Sequence, residues 1–248
     1  VAQHPSARCR MTIVTKTARA AMLLSCCTLF NPAFSAESGN LPMNIDHIVY
    51  AVSDLESGMT EIEKLIGARP VIGGRHPDFG THNALLSLGP GTYLEIIAPD
   101  SSLPTPDHGL AFGISENQPP GIVTWALRVE EIQAVADAAT GAGVPIGAVE
   151  SGSREKPDGT VLSWQLSNPY AMPFDGAIPF LINWGDTPHP AVTTPRGGEL
   201  LGIRIEHPDA DKVRKALSAL GVDIEVNKAD TYSVIATIKT DRGIVELQ

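Results

Sequence analysis

At 248 residues, 43% of them hydrophobic, the chain has the make-up of a globular protein and the length for a substantial core. Its formal charge is −10, yet the first 35 residues hold Arg8, Arg10, Lys16 and Arg19 and no acid, leaving 14 basic against 28 acidic side chains in the remainder. Such a surface repels phosphate backbones and anionic headgroups, which argues against nucleic acid as a partner.

Residues 1–35 read as a signal segment. Met11 is a reasonable translation start, with residues 1–10 ahead of it, and it opens a short basic region carrying Lys16 and Arg19. An apolar run over 20–30 follows, then a break at Asn31-Pro32, and Ala33-Phe34-Ser35 places small residues at the −3 and −1 positions of a signal-peptidase site. Cleavage near Ser35 would yield a periplasmic or secreted protein. The run is too short for a permanent span, which takes roughly 20 residues. Leu23-Leu24-Ser25-Cys26 offers a second export route, as a lipoprotein acylated at Cys26. All three cysteines (Cys9, Cys26, Cys27) lie in this segment, so a cleaved protein has no disulfide and no Cys metal site.

Beyond it the pattern repeats. A strand over 45–52 leads to Ser53-Asp54-Leu55-Glu56, a capping box with Ser53 as N-cap, and to a helix burying Leu55, Met59, Ile62 and Ile66 and ending at Gly67. Strands are expected over 69–73, 81–88 and 92–97, the last two joined at Gly89-Pro90-Gly91. The same β-α-β-β-β order is expected with strands 122–129, 146–149, 161–166 and 178–184 around a helix over 130–142. It is expected again from 200 onward, with Pro208 opening a helix that buries Val213, Ala216, Leu217 and Leu220. The glycines ending the three helices, Gly67, Gly143 and Gly221, are spaced almost evenly. Three Pro-rich stretches, 99–120 (with His108), 168–178 and 185–198, fall outside the repeat and read as lids or linkers.

Ile45-Asp46-His47-Ile48-Val49-Tyr50-Ala51-Val52-Ser53-Asp54-Leu55 resembles the opening strand of the vicinal-oxygen-chelate superfamily, and the chain is most similar to its glyoxalase-like subgroup. Gly73-Gly74-Arg75-His76-Pro77, Gly80-Thr81-His82-Asn83, Tyr93-Leu94-Glu95-Ile96 and Pro179-Phe180-Leu181-Ile182-Asn183-Trp184 extend the similarity, which covers nearly everything after residue 43. The resemblance implies an α+β fold in which repeated βαβββ modules curl into a cup. The expected organisation is a signal segment (1–35), a glyoxalase-like domain (43–187, modules 45–98 and 121–185) and a third βαβββ unit (199–248) packed on it. That third unit is also a candidate dimerisation module, making a homodimer one expected partner.

The resemblance also implies where the ligand sits. In metal-dependent relatives each module gives the cavity a His or Glu from its first strand and a Glu from its last. In the first module these are His47 and Glu95, which become the expected catalytic pair and the expected ligands of one divalent metal (Zn, Ni, Mn or Fe). The second module departs from the pattern: Thr124 matches His47, and Leu181, Ile182 or Asn183 stands where a Glu is wanted, so the metal site is incomplete. His82, His108 and Asn183 are the candidate third ligands.

His82, Asn83, Thr124, Trp125, Asn183 and Trp184 are expected to line the substrate pocket. For His82 and Asn83 a solvent-facing strand position is equally compatible, and Trp125, Trp164 and Trp184 could each be core. Glu95 could instead pair with Arg75 or Arg128. His76 and His189, beside prolines, read as loop structure, and His207 as a turn or capping residue. With no phosphate loop, nucleophile elbow or zincin helix, the expected function is a glyoxalase-like lyase or isomerase acting on a small oxygenated molecule, with non-catalytic ligand sequestration as the alternative.

Overall fold

The computed structural model describes residues 44–248; the expected signal segment, its cleavage site and all three cysteines lie outside the described residues. Strand β1 (Ile45–Ala51) is buried at every position. Alternate side chains point to opposite faces of a strand, so β1 feeds two cores. Ile45, Ile48 and Tyr50 join a core on the helix side of the sheet, whereas Val49 and Ala51 join one inside the cup.

Helix α1 (Leu55–Ile66) buries Leu55, Met59, Ile62 and Ile66, as its spacing predicts. Its N-cap is Asp54, whose carboxylate accepts from the Ser57 N–H at 2.9 Å, one residue later than the predicted Ser53 cap. An ionised carboxylate is the stronger acceptor at a helix N-terminus, and Glu56, freed from the expected box, pairs with Arg69 instead. Gly67 ends the helix at φ 93°, donating to the Glu63 carbonyl; Gly143 and Gly221 follow the later helices at φ 81° and 69°.

The first module continues with β2 (Val71–His76), β3 (Thr81–Ser87) and β4 (Tyr93–Pro99). β2 starts two residues later than expected and runs on to His76, because Gly73-Gly74 does not end the strand. The pair forms a bulge at Ile72/Gly74, with Gly74 at φ 149°. The second module comprises β5 (Gly121–Arg128), helix α2 (Ile132–Gly141), β6 (Val149–Glu155), β7 (Val161–Ser167) and β8 (Phe180–Asn183). Here the expected strand over 146–149 is displaced: Gly147 turns the chain at φ 75°, and the strand lies over the polar stretch that follows.

In both modules the first strand pairs in parallel with the last, β1 with β4 and β5 with β8, and β1 joins β5 antiparallel. The eight strands close into a barrel of order β1-β4-β3-β2-β6-β7-β8-β5. At the opposite seam β2 and β6 pair only through Arg75 and Glu155.

The remaining elements, β9 (Glu199–His207), α3 (Ala210–Ala219), β10 (Glu225–Lys228), β11 (Ser233–Thr240) and β12 (Gly243–Leu247), form a separate sheet of order β10-β9-β11-β12. This unit repeats the element order of the modules but not their pairing. β9 lies between β10 (parallel) and β11 (antiparallel), and the last strand is outermost. Element order does not fix pairing: a β-α-β crossover commonly makes its two strands parallel neighbours, as β9-α3-β10 does here. α3 starts at Ala210, two residues after Pro208, and His207 Nδ1 accepts from the Asp209 N–H at 2.9 Å, a local turn contact. This unit shares the helix-side core through Leu200, Ile205 and Val234 of its sheet and Val213 and Leu217 of α3. Two further ties hold it, Tyr232 donating to the Val123 carbonyl (3.1 Å) and Leu200 N–H to that of Leu88 (2.9 Å). Among the described residues no helix is long and apolar enough to cross a membrane.

Candidate functional site

The two cores differ in chemistry. The helix-side core is hydrophobic, whereas the barrel interior mixes Val49, Leu85, Ile97, Leu166 and Ile182 with buried His47, His76, Asn83, Glu95 and Arg154. Buried polar groups are costly unless satisfied, so a cluster of them marks a place where packing has been traded for chemistry. They surround a narrow cavity, about 410 Å³ of empty space when its open mouth is counted, walled also by Phe79, Tyr93, Phe112, Trp164, Phe180 and Trp184.

Strand periodicity puts these groups together. His47 pairs with Tyr93 across β1 and β4, and their rings stack with centroids 4.6 Å apart and planes at 16°. Glu95, two residues along β4, points the same way, with Oε2 3.5 Å from His47 Nε2. On β3, Asn83 donates from Nδ2 to Glu95 Oε1 (2.6 Å) and accepts at Oδ1 from Arg154 NH1 of β6 (3.1 Å).

Behind His47 stands Asp46, completely buried. Its carboxylate accepts from His47 Nδ1 (2.7 Å), from His189 Nε2 (3.1 Å) and from the Trp184 indole N–H (3.1 Å). Burial alone would raise the Asp46 pKa, but the hydrogen bonds from His189 and His47 outweigh it and hold the carboxyl well below the usual carboxylate range. Asp46 is therefore an anion, and it fixes the His47 ring with Nδ1–H towards itself and Nε2 towards Glu95.

Burial depresses the His76 imidazole to about 4, against a smaller upward pull from Glu95, so this residue is neutral at physiological pH. Its Nδ1 meets the Thr81 hydroxyl at 2.9 Å. The unfolded chain therefore binds a proton at His76 between pH 6.5 and 4 that the folded chain refuses. Stability is expected to fall by about 3 kcal/mol as pH drops through that window, with half-buried His82 adding in the same direction. Urea denaturation from pH 7 to 4 checks this: His76→Asn should flatten the slope, and an equally steep slope in the variant contradicts it. Burial, helped by the charges of Asp46 and Glu95, raises Tyr93 well above the usual phenol value, so it stays protonated. Arg154 is lowered by burial but remains a cation.

Of the residues singled out from sequence, His47, Asn83, Glu95 and Trp184 line the cavity, and so does Trp164. Four expected pocket residues stand elsewhere. His82 is on the other face of β3, in a groove with Asp54 and Asp100, because neighbouring residues of a strand point apart. Thr124 donates to the Gly176 carbonyl (3.2 Å), and Trp125 lies in the helix-side core with its N–H on Ala177 O (3.1 Å). Asn183 caps the end of β8 from outside, donating to Glu130 O and accepting from Gly185 N. Neither arginine weighed against Glu95 reaches it: Arg75 pairs with Asp100, and Arg128 lies near Asp46.

Sequence reasoning missed Asp46, His76, Arg154 and His189. Asp46-His47, two adjacent polar residues in a strand otherwise apolar, was the available signal for the first. Arg154 was hidden by the misplaced β6, and His189 reaches the site from a loop that no periodicity predicts.

The donor set does not suit a resident divalent metal. Across the cavity from His47 and Glu95 the second module offers Ala126, Phe180 and Ile182, and Glu95 Oε1 is already engaged by Asn83. Of the candidate third ligands, His82 and Asn183 face away, and His108 packs against Tyr170. Among the described residues no group of three or more His, Cys, Asp or Glu side chains is arranged to hold a metal ion.

A model of the glyoxalase-like domain matches residues 45–221. No curated protein matches the chain. Among solved structures, a hypothetical protein from Staphylococcus aureus is 15% identical with a TM-score of 0.58, covering 82% of this chain and 98% of that one. A methylmalonyl-CoA epimerase from Mycobacterium tuberculosis is 20% identical with a TM-score of 0.37, over 62% and 94% of the two chains. One from Streptomyces coelicolor is 17% identical, also at 0.37, over 59% and 98%. Likeness at these identities speaks to fold alone, and the two epimerases overlay too loosely to add to it. The family model spans both modules of the barrel and every residue that lines its cavity, and on that match the chain belongs to the glyoxalase-like domain family.

Proposed function

We propose that the cavity catalyses proton transfer at a carbon next to a carbonyl in a small oxygenated molecule, as an isomerase or lyase, without a resident divalent metal. The observation that carries this reading is the chain Asp46–His47–Glu95, which ends in a cavity otherwise walled by aromatic and aliphatic side chains. Each member has a part. Glu95 takes the proton from the carbon; the C–H electron pair forms the new C=C, and the carbonyl π pair moves onto oxygen as an enolate. His47, protonated on both nitrogens, donates from Nε2 to that oxygen, and anionic Asp46 stabilises the imidazolium from behind. Return of the proton to another position isomerises the molecule, and loss of a neighbouring leaving group makes the reaction a lyase. Asn83 holds Glu95 in place through Oε1. Export of the protein belongs to the same proposal, supported by the signal-like residues 11–35.

The test is hydrogen–deuterium exchange at the activated carbon of small ketones and 2-oxo acids in D2O, followed by NMR. Exchange well above the buffer rate is expected. The six aromatic residues Phe79, Tyr93, Phe112, Trp164, Phe180 and Trp184 favour one competing reading, a protein that sequesters an aromatic compound. Saturable binding with exchange no faster than in buffer decides for that reading.

A further inference from the structure

One buried charge has no part in the chain of proton transfer. Arg154 is 4% exposed and faces the cavity, yet among the described residues its side chain makes a single hydrogen bond, to Asn83 Oδ1. Among the described residues no carboxylate stands within ion-pair distance of it; Glu95 acts on it only from beyond Asn83. A guanidinium has five N–H donors, and among the described residues only one nitrogen of Arg154 is matched, leaving the rest of the fork to face the cavity and a ligand in it.

The space it occupies has been kept clear. A Cβ on Gly73 would come within 2.2 Å of Arg154 NH1 and 2.3 Å of Asn83 Oδ1, and one on Gly74 within 2.7 Å of Arg154 Cγ. The Gly73-Gly74 bulge of β2 is thus the seat of the Arg154 side chain, and any larger residue there would displace its fork.

We infer that Arg154 is the binding site for the carboxylate of the substrate, and that the substrate class is a small oxo-carboxylate with an apolar or aromatic side chain. This rests on the proton-transfer reading for the position of the carbonyl, and on Arg154 itself for the anion. A planar fork matches a carboxylate in two parallel hydrogen bonds. A single buried cation balances one negative charge, which suits a carboxylate better than a phosphate dianion, and Glu95 nearby disfavours any further charge. Only the Asn83 carboxamide separates Arg154 from Glu95, so the anion and the reacting carbon must belong to neighbouring atoms of one small molecule. Trp164 and Trp184, their ring centroids 5.3 Å apart and their planes tilted by 52°, then lie against its side chain.

Because those two indoles line the cavity, tryptophan fluorescence and the melting temperature report occupancy. The probes are phenylpyruvate and benzoate, each against its methyl ester. The acids are expected to bind at least tenfold more tightly than the esters to the unaltered protein. Arg154→Met, close in volume, should erase that preference; Arg154→Lys should keep part of it; Gly73→Ala should weaken it by pushing the fork aside. Glu95→Gln, which removes a neighbouring negative charge, should not lower it. Esters that bind as well as acids, acids that fail to bind at millimolar concentration, or a preference that survives Arg154→Met would each overturn the inference. The two readings fail separately. Acid-selective binding without deuterium exchange removes the catalytic reading and keeps this one, whereas exchange of neutral ketones with no acid preference does the reverse.

Discussion

Glu95→Gln is expected to lower deuterium exchange at the substrate carbon by about 10²–10⁴-fold, the usual contribution of a positioned general base. Gln keeps the shape and can still accept from Asn83 through its carbonyl, so the cavity should stay assembled and the melting temperature should change little. Its amide, however, cannot take a proton, and it presents either a donor or an uncharged oxygen to His47 Nε2. The variant should therefore bind ligand and fail to turn it over. Rate and affinity falling together would instead place Glu95 in ligand binding, and an unchanged rate would remove it from the reaction.

Asp46→Asn is expected to damage both stability and rate. The carboxylate is fully buried, and three donors converge on it, from His47, His189 and Trp184. Asn retains one accepting oxygen and turns an N–H₂ towards one of those donors, leaving polar groups unpaired in the interior. Breaking a buried charged network by one member costs about 3–5 kcal/mol, which urea denaturation at pH 7 measures directly. The pH dependence has a definite sign. The folded carboxyl is held below the unfolded value of about 3.9, so its contribution is complete above pH 4 and is lost only as pH falls further. The part of the difference between wild type and Asp46→Asn that comes from the carboxyl's own titration should then shrink only in acid below about pH 4. The rate should fall as well, because His47 loses the partner that fixes its tautomer and stabilises its charge. A variant as stable as the wild type would show that the convergence on Asp46 is incidental.

What the sequence made legible follows from the kind of information each feature carries. Local chemistry was readable. The apolar alternation of β1, the buried face of α1 and the left-handed glycines after all three helices depend on neighbours in the chain, and the structure places them as the pattern implies. At the start of α1 the expected Ser53 cap gives way to Asp54, whose charged side chain is the stronger acceptor. β6 was misplaced for a different reason. Its Ser151-Gly152-Ser153-Arg154 stretch has poor strand propensity, and it is a strand because the barrel has to close between β2 and β7. Tertiary closure outweighed local preference, and the error hid Arg154.

Pairing and convergence were beyond reach. Nothing in the order β-α-β-β-β tells the third unit from the first two, although β9 sits inside its sheet where β1 and β5 join one module to the next. The site showed the same division. His47, Asn83 and Glu95 come from strands of one module, where period and position identify them. Trp184, expected in the pocket, is found there, but Arg154 and His189 arrive from the second module and the loop after it, and only the folded chain brings them to Asn83 and Asp46.

On the proposed mechanism this cavity works through its own acid, base and cation rather than through a bound metal. The most direct measurement is the metal content of the purified protein by mass spectrometry, combined with the exchange rate before and after dialysis against a chelator. Well under one equivalent of any divalent transition metal is expected, with an exchange rate that chelation leaves unchanged. A stoichiometric Zn, Ni, Mn or Fe that leaves with the chelator, takes the activity with it and restores it on return would contradict the account.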